Sequence, residues 1–175
     1  MNIVIAGDGE VGFHLAKSLS DLNHNITVVH PHSALLQKLV NESEIGAVNG
    51  DSTSFEVLHR AEVHNCDLLL AVLHDESINI ITCILGKKMG AKRTVARVSN
   101  VEYLQTNNKM MFRSLGVDEM VCPERIATKE IINLLNHNIT TEFFDFSNGL
   151  LSMYLIRLDE NASVINKTMR EIVLE

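Results

Sequence analysis

The chain contains 175 residues, of which 46% are hydrophobic and 21% charged, a composition typical of one globular domain, or of one domain and the start of another. Its formal net charge of −7 argues against a nucleic-acid-binding protein, because such proteins usually present a basic face. No apolar run approaches the roughly 18 residues that a membrane helix needs, and Met1 leads directly into a predicted strand, so neither direct membrane insertion nor a signal peptide is expected.

The first predicted element is a short apolar strand at residues 2–6, which a glycine-rich turn follows at once. The turn has the pattern G-x-G-x-x-G, and leucines recur at helical spacing after it. In such a strand–turn–helix unit the glycines allow a tight turn, a close approach to a pyrophosphate and close packing of helix on strand. The helix N-terminus also offers N–H groups and a partial positive charge. The predicted phosphate-binding residues are Gly7, Asp8, Gly9, Glu10, Val11 and Gly12.

Five more apolar or β-branched runs predict strands, at residues 25–29, 45–49, 68–72, 93–97 and 119–122. Helical patterns alternate with them, at residues 33–41, 54–61, 76–89, 102–115 and 123–137. Thr53 and Ser99 each precede a glutamate by three residues, which is the spacing of a helix-capping box. Gly90 and Gly116 stand where helices should end.

This alternation predicts an α/β protein with a Rossmann-like, doubly wound parallel sheet of six strands and right-handed crossovers. Near-continuous apolar strands suit a sheet that helices cover on both faces. The expected strand order is 3-2-1-4-5-6, which places a ligand in the crevice over the carboxyl ends of strands 1 and 4.

The pattern changes near residue 140, where two strand-like runs at residues 141–146 and 150–158 flank an Asn-Gly turn. We therefore predict a C-terminal β-hairpin. The predicted domains are a nucleotide-binding domain at residues 1–140, and a hairpin with the truncated start of a C-terminal regulatory domain at residues 141–175. On this interpretation the chain is a fragment of a longer protein.

The second predicted strand ends without the acidic residue that usually accepts hydrogen bonds from an adenosine ribose. His30, followed by Pro31, stands at that position, 18 residues after Gly12 (30 − 12). A neutral imidazole can bond one ribose hydroxyl, and a protonated one would tolerate a 2′-phosphate. The alternative is that His30 is a solvated loop residue and that the ribose is held loosely.

Other residues at the predicted carboxyl ends of the strands offer contacts for a ligand. They are Gly50, Asp51 and Ser52 after strand 3, Ala71, Val72 and Leu73 in and after strand 4, and Arg97 in strand 5. Asp51 can accept a hydrogen bond from an adenine amine or a ribose, although a turn with a helix cap explains the same loop. Arg97 is well placed either for a phosphate or for a salt bridge to a nearby acid.

Neither the histidines nor the cysteines predict a metal centre. His30 and His32 have no third ligand nearby, and such a pair is more often simply polar. Cys66, Cys83 and Cys122 are far apart in apolar surroundings, which is typical of reduced core thiols in a cytosolic protein.

Five motifs fall in the same order and spacing as in the nucleotide-binding domains of Trk/Ktr-type potassium-uptake regulators, also called RCK or KTN domains. They are the glycine motif of residues 7–12, Gly50-Asp-Ser-Thr53, Leu70-Ala-Val72 with Asn79, Ala96-Arg-Val98 and Pro123-Glu124. The chain resembles this family over roughly residues 1–140. Residues 164–172 are similar to the start of the smaller C-terminal domain that follows in the family.

The resemblance implies a cytoplasmic regulator that binds NAD(H), ATP, ADP or AMP and acts on a membrane potassium channel or transporter at the inner face of the plasma membrane. It also implies homodimers and larger gating rings, which form through the Rossmann faces and the helix at residues 123–137. Asn79 belongs to a ligand-binding motif, and Arg97 matches a position that approaches ligand phosphates. Glu124 matches a position that in some members lies near the subunit interface and meets a cation. His30 departs from the acid of many members, which leaves the identity of the nucleotide open.

A dehydrogenase would need a substrate domain that supplies an acid–base group and a substrate clamp. Residues 141–175 leave no room for one, and His74 is the one candidate base that the sequence places near the crevice. We therefore predict a non-enzymatic sensor, in which the nucleotide shifts a dimer or ring between two geometries and so gates ion flux. The alternatives are the regulatory domain of a cation/proton antiporter and, less favoured, an NAD(P)-dependent oxidoreductase.

Overall fold

The computed structural model describes residues 1–31, 45–136, 140–146, 151–158, 160 and 162–174, and the chain divides into two compact units, Met1–Ile126 and Ala127–Glu175. The strands of the first unit are β1 (Asn2–Ala6), β2 (Asn25–His30), β3 (Gly46–Asn49), β4 (Leu68–Ala71), β5 (Thr94–Arg97) and β6 (Glu119–Val121). They form one parallel sheet in the order β3-β2-β1-β4-β5-β6. The predicted α/β class and strand order are therefore confirmed.

Helices follow the strands as the sequence pattern predicts. They are α1 (Glu10–Asp21), α2 (Phe55–Arg60), α3 (Glu76–Met89), α4 (Thr106–Leu115) and α5 (Pro123–Asn136). Short 3₁₀ turns lie at Val63–Asn65 and Val101–Leu104. The helix predicted at residues 33–41 lies outside the described residues.

Strand β1 supplies side chains to a core on each face of the sheet, because successive strand residues point to opposite faces. Ile3 and Ile5 pack in one buried cluster with Ala16 of α1. Val4 and Ala6 belong to a second cluster, which includes residues of α2 and α3. Each fully buried aliphatic side chain of this size stabilises the fold by about 1.5–3 kcal/mol. The two cores hold the carboxyl end of β1 between helices, where the glycine turn begins.

The ends of two helices match the glycine prediction, but the predicted cap of α2 is wrong. Gly90 (φ 122°) and Gly116 (φ 111°) end α3 and α4 in a backbone region that favours glycine. Thr53 does not cap α2, which begins after Ser54 without a side-chain cap. The reason is that the Asp51 carboxylate accepts both the N–H and the hydroxyl of Thr53, each at 2.8 Å.

The continuous helix predicted at residues 102–115 is also wrong, because a 3₁₀ turn precedes α4. Asn100, not Ser99, accepts the N–H of Glu102 at 2.9 Å. The carboxylate of Glu76, on α3, accepts the N–H groups of Ser99 and Asn100 at 2.7 and 2.9 Å. This contact from a distant helix fixes the backbone before the turn and takes Ser99 away from a capping position.

In the second unit, β7 (Thr140–Phe146) and β8 (Leu151–Ile156) pair antiparallel, and α6 (Met169–Leu174) follows. The predicted Asn-Gly turn at residues 148–149 lies outside the described residues, and the predicted domain boundary near residue 140 stays a prediction. Within the described residues, no helix combines the length and the apolar character of a membrane span.

Candidate functional site

The glycine turn after β1 is held by direct contact between two glycines. A Cβ atom on Gly7 would lie 3.1 Å from the Cα atom of Gly12, and one on Gly12 would lie 3.2 Å from the Cα atom of Gly7. The N–H of Gly7 also donates to the carbonyl of Val29 at 3.1 Å, which ties the turn to β2. Glycine is needed at both positions because backbone packs on backbone, and neither residue has a positive φ.

The N-terminus of α1 carries no side-chain cap, since its N-cap residue is Gly9. The first N–H groups of this helix are therefore available to an anion, and the helix dipole favours negative charge there. Helix α3 differs, because Asp75 caps it by accepting the N–H groups of Ser77 and Ile78 at 2.7 and 3.3 Å. A carboxylate already occupies that terminus, so a ligand phosphate is better placed at α1.

A pocket of about 190 Å³ lies between the turn, α1 and the end of β2. It is lined by Gly7, Gly9, Glu10, Gly12, Phe13, Val28 and His30. Five of these residues are predicted site residues, and the fold brings them together from the glycine turn, α1 and β2. Phe13 and Val28 were missed, because their apolar character predicts core packing and does not distinguish a pocket wall.

His30 is the last residue of β2 and is only 3% exposed. Its carbonyl accepts the N–H of Gly50 at 3.1 Å, and it pairs with Asn49 in the β2–β3 ladder. The alternative that His30 is a solvated loop residue is therefore wrong, because the ladder continues one residue beyond the predicted strand end. The buried imidazole lines the pocket, and the exposed Pro31 follows it.

The loop after β3 is fixed by bonds within the chain. Gly50 has φ 150°, and a Cβ atom there would lie 2.5 Å from Val57. Asp51 is exposed but engaged with Thr53, as described above. The buried Ser52 hydroxyl lies 3.0 Å from the hydroxyl of Thr82 on α3. Ser52 therefore anchors the loop to the interior, and Asp51 is the member of this predicted set with an exposed polar group.

Asn79, on α3, is fully buried and bonds to the backbone after β4 and at the end of β5. Its side-chain oxygen accepts the N–H of Leu73 at 2.8 Å, and its side-chain nitrogen donates to the carbonyls of Leu73 and Arg97, each at 2.9 Å. Ala71 and Leu73 are buried as well, and Val72 packs beside Gly7. Asn79 thus positions the backbone of the crevice through three hydrogen bonds within the chain.

His74 makes a contact across the crevice that the sequence did not predict. Its backbone N–H and its ring Nδ1 both reach Oδ1 of Asp8, at 3.0 and 2.8 Å. The ring lies against Gly9, so that a Cβ atom on Gly9 would come within 2.8 Å of Cε1. These partners are 66 residues apart. A match to a local motif cannot reveal such a pair, although strands 1 and 4 are adjacent in the predicted order.

Arg97 and Glu124 form an ion pair of 3.0 Å, with side chains that are 20% and 54% exposed. The pKa of the Glu124 carboxyl is lowered, first by a hydrogen bond from its own backbone N–H and then by Arg97. The predicted phosphate-binding residue and the predicted interface residue are therefore joined to each other. In the part of the chain that the structure describes, no group of three or more His, Cys, Asp or Glu residues could hold a metal ion.

The sequence of the chain is similar to those of known proteins. The TrkA-N domain family matches residues 3–123. The chain is 32% identical over 174 residues to the Trk system potassium uptake protein TrkA homolog of Archaeoglobus fulgidus, covering 99% of this chain and 39% of that protein. It is 31% identical over 181 residues to TrkA homolog 1 of Methanosarcina mazei, covering 99% and 44%. The chain thus spans less than half the length of these relatives.

Solved structures share the fold. The TrkA-N domain of inner membrane protein ybaL from Escherichia coli matches with a TM-score of 0.66 and 16% identity, over 77% of this chain and 96% of that one. The GsuK channel bound to NAD matches with a TM-score of 0.58 and 21% identity, over 69% and 21%. The Shewanella denitrificans Kef CTD in its AMP-bound form matches with a TM-score of 0.57 and 18% identity, over 77% and 82%.

The family match covers the six-stranded sheet apart from the first residue of β1, and it includes every predicted site residue up to Arg97. The resemblance to Trk/Ktr regulators is therefore confirmed, and the chain belongs to the TrkA-N domain family.

Proposed function

We propose that this chain is the nucleotide-sensing part of a potassium-uptake regulator, that it binds NAD(H) or the adenine nucleotides AMP, ADP or ATP, and that it is not an enzyme. The observation that carries the proposal is the uncapped N-terminus of α1 beside the pocket of the glycine turn. The names of the relatives support the potassium-uptake role, and the NAD and AMP of two structural neighbours support the ligand class.

In the proposed site, the N–H groups of α1 bind the phosphates, and the pocket beside His30 takes the ribose. His30 offers one hydrogen-bonding ring in place of a carboxylate. NAD, AMP, ADP and ATP share the adenosine ribose that would contact this ring, so His30 does not select among them. The polar side chains of Asn79 and Ser52 hold strand ends and a loop in place. Some residues would thus contact the ligand while others hold the backbone rigid, which is the arrangement expected of a binding site.

In this proposal, Arg97 transmits the presence of the bound nucleotide to helix α5. This side chain pairs with Glu124, in the first turn of α5. A nucleotide phosphate that draws Arg97 away breaks the ion pair with Glu124, and the Glu124 carboxylate can then bind a partner subunit or a cation. The bound state then favours one geometry of a homodimer or ring, and the attached transporter responds to that geometry. We place the chain at the cytoplasmic face of the membrane, bound to its transporter, with residues 1–140 as the sensor and residues 141–175 as the start of a regulatory domain.

Calorimetric titration with NADH, ATP, ADP and AMP tests this function. At least one should bind, and Gly9→Val should weaken its binding at least about 100-fold, because a branched side chain blocks the approach of a phosphate to the turn. Ser18→Val, at an exposed position of α1, is the matched control and should bind normally. Failure of all four nucleotides to bind, or full binding by Gly9→Val, contradicts the site. Sustained conversion of any of them into product contradicts the non-enzymatic role.

A further inference from the structure

The ring of His74 covers one side of Gly9, the glycine at which a phosphate should approach the backbone. The ring atom Cε1 lies where a Cβ atom on Gly9 would come within 2.8 Å. This contact involves a side chain, whereas the contact between Gly7 and Gly12 involves backbone on both sides. The cover over Gly9 is therefore movable, and the packing beneath it is not.

Asp8 holds this cover in place. A carboxylate oxygen is an acceptor, so the Nδ1 atom of His74 carries a proton and donates it at 2.8 Å. The same oxygen accepts the backbone N–H of His74 at 3.0 Å, which brings the carboxylate to the base of the ring. The ring is thus oriented by one side-chain hydrogen bond.

The ring can leave without disturbing the core. The His74 side chain is 74% exposed, whereas that of Asp8 is 26% exposed. The backbone on either side is fixed independently, because Asn79 binds the preceding residue and Asp75 caps α3 after it. A rotation of the His74 side chain breaks the bond between Nδ1 and Asp8 and leaves the strand end where it is.

We propose that His74 is a latch over the phosphate cradle, and that a nucleotide phosphate must displace its ring from Gly9 in order to bind. The latch rests on the proposed function, since it competes with the phosphate of that same site. It lowers the affinity for nucleotides by the free energy of the contact between His74 and Asp8. Exposed pairs of this kind correspond to about a two- to fivefold change in affinity.

His74→Ala tests the latch by the sign of its effect on ADP binding in calorimetry. The variant should bind ADP about two- to fivefold more tightly than the unmodified chain. His74→Asn removes the ring but keeps a polar group that can bond Asp8, and it should also bind ADP more tightly. His59→Ala, at an exposed histidine of α2, is the matched control and should leave the affinity unchanged.

Four other outcomes overturn the latch. If His74 helps to bind the phosphate, both His74 variants bind ADP more weakly than the unmodified chain; equal affinity shows that the ring does not compete. If neither the unmodified chain nor the variants bind any of AMP, ADP, ATP and NADH, the proposed function fails and the latch fails with it. A direct readout is the His74 Hε1 resonance, identified by its loss in His74→Ala. It should shift on addition of ADP, and a resonance that stays unchanged at saturation contradicts displacement.

Discussion

At the amino ends of the strands, two aspartates join neighbouring strands through backbone contacts. Asp67, just before β4, accepts the N–H of Asn2 at 2.8 Å. Asp118, just before β6, accepts the N–H of Thr94 at 2.9 Å. Each aspartate also forms an ion pair with a lysine. Asp67 pairs with Lys92 and Asp118 with Lys87, each with a nitrogen–oxygen distance of 2.7 Å.

At the carboxyl ends the acidic residues pair with side chains that lie in or after neighbouring strands. Asp8 orients His74, and Glu124 orients Arg97, and each pair includes an exposed partner. The strand ends themselves are held by a different residue, the buried Asn79. The comparison leads us to expect that the amino ends contribute stability. In the proposed function, the carboxyl ends combine a fixed backbone with side-chain pairs that separate when a ligand arrives.

The largest effect should come from Asn79→Ala, which removes the residue that fixes the carboxyl ends. It leaves one N–H and two carbonyls without their side-chain partner, and a buried polar group without a hydrogen bond costs about 1–3 kcal/mol. We expect the free energy of unfolding to fall by about 3 kcal/mol. Urea denaturation measures this, with Asn107→Ala on the exposed face of α4 as the control. A decrease in the free energy of unfolding of less than about 1 kcal/mol would show that the carboxyl ends of the strands do not depend on Asn79.

Asp118→Ala should be the next largest change, and it should separate the two ends of the sheet. The carboxylate bonds the N–H of Thr94 and the ammonium of Lys87, so its loss should reduce the free energy of unfolding by about 2 kcal/mol. The dissociation constant for nucleotide should stay the same, because Asp118 lies at the end of the sheet opposite the crevice. Glu119→Ala is the control at the neighbouring exposed residue. A weakened affinity for nucleotide would contradict the separation of roles.

The lowered pKa of the Asp118 carboxyl should make part of the stability of the chain sensitive to acid. Burial raises the pKa of the Asp118 carboxyl, but Lys87 and the hydrogen bonds from Thr94 outweigh burial, so the pKa lies below its ordinary value of 3.8. A carboxyl with a lowered folded pKa stabilises the fold fully above the ordinary value, and this contribution is lost as the pH falls through the folded value. The difference in unfolding free energy between the unmodified chain and Asp118→Asn should therefore shrink below about pH 4. A difference that stays constant down to pH 2.5 would contradict this.

The smallest effect is expected from Glu124→Gln, which frees Arg97 for a phosphate. Because the Glu124 side of this pair is exposed, the pair is worth only about 0.2–1 kcal/mol, so nucleotide binding should tighten by about two- to fivefold. Calorimetry with ADP measures this, and Glu130→Gln on the same helix is the control. Weaker binding by Glu124→Gln would show that Glu124 supports the ligand and does not compete for Arg97.

Local patterns predicted much of this fold because they report local physics. Helix α3 begins and ends at the predicted residues, since its apolar period stops at Gly90. The strand order followed from alternation and crossover rules, which do not depend on individual contacts. The glycine motif predicted the turn because the close packing of Gly7 on Gly12 leaves little room for a side chain at either position.

Three of the failures concern hydrogen bonds whose partners the local pattern did not identify. Thr53 could have capped α2, but Asp51 takes its N–H and hydroxyl first. Ser99 does not cap a helix, because its backbone N–H donates to the carboxylate of Glu76, 23 residues away. The contact of His74 with Asp8 spans 66 residues, and the residue types alone do not specify it. Predicting such contacts requires the three-dimensional arrangement of the loops.

The exposure of His74 has a kinetic consequence. Exposed side chains change rotamer within picoseconds to nanoseconds, far faster than a protein at ordinary concentrations meets its ligand. The latch therefore opens and closes many times between encounters, and the ligand meets an average of the two states. If the ring is turned away from Gly9 in about one fifth of the molecules, the association rate is reduced about fivefold and the dissociation rate is unchanged. The latch would thus set how often an encounter succeeds, while the residence time of the nucleotide would depend on the glycine turn and the helix beneath it.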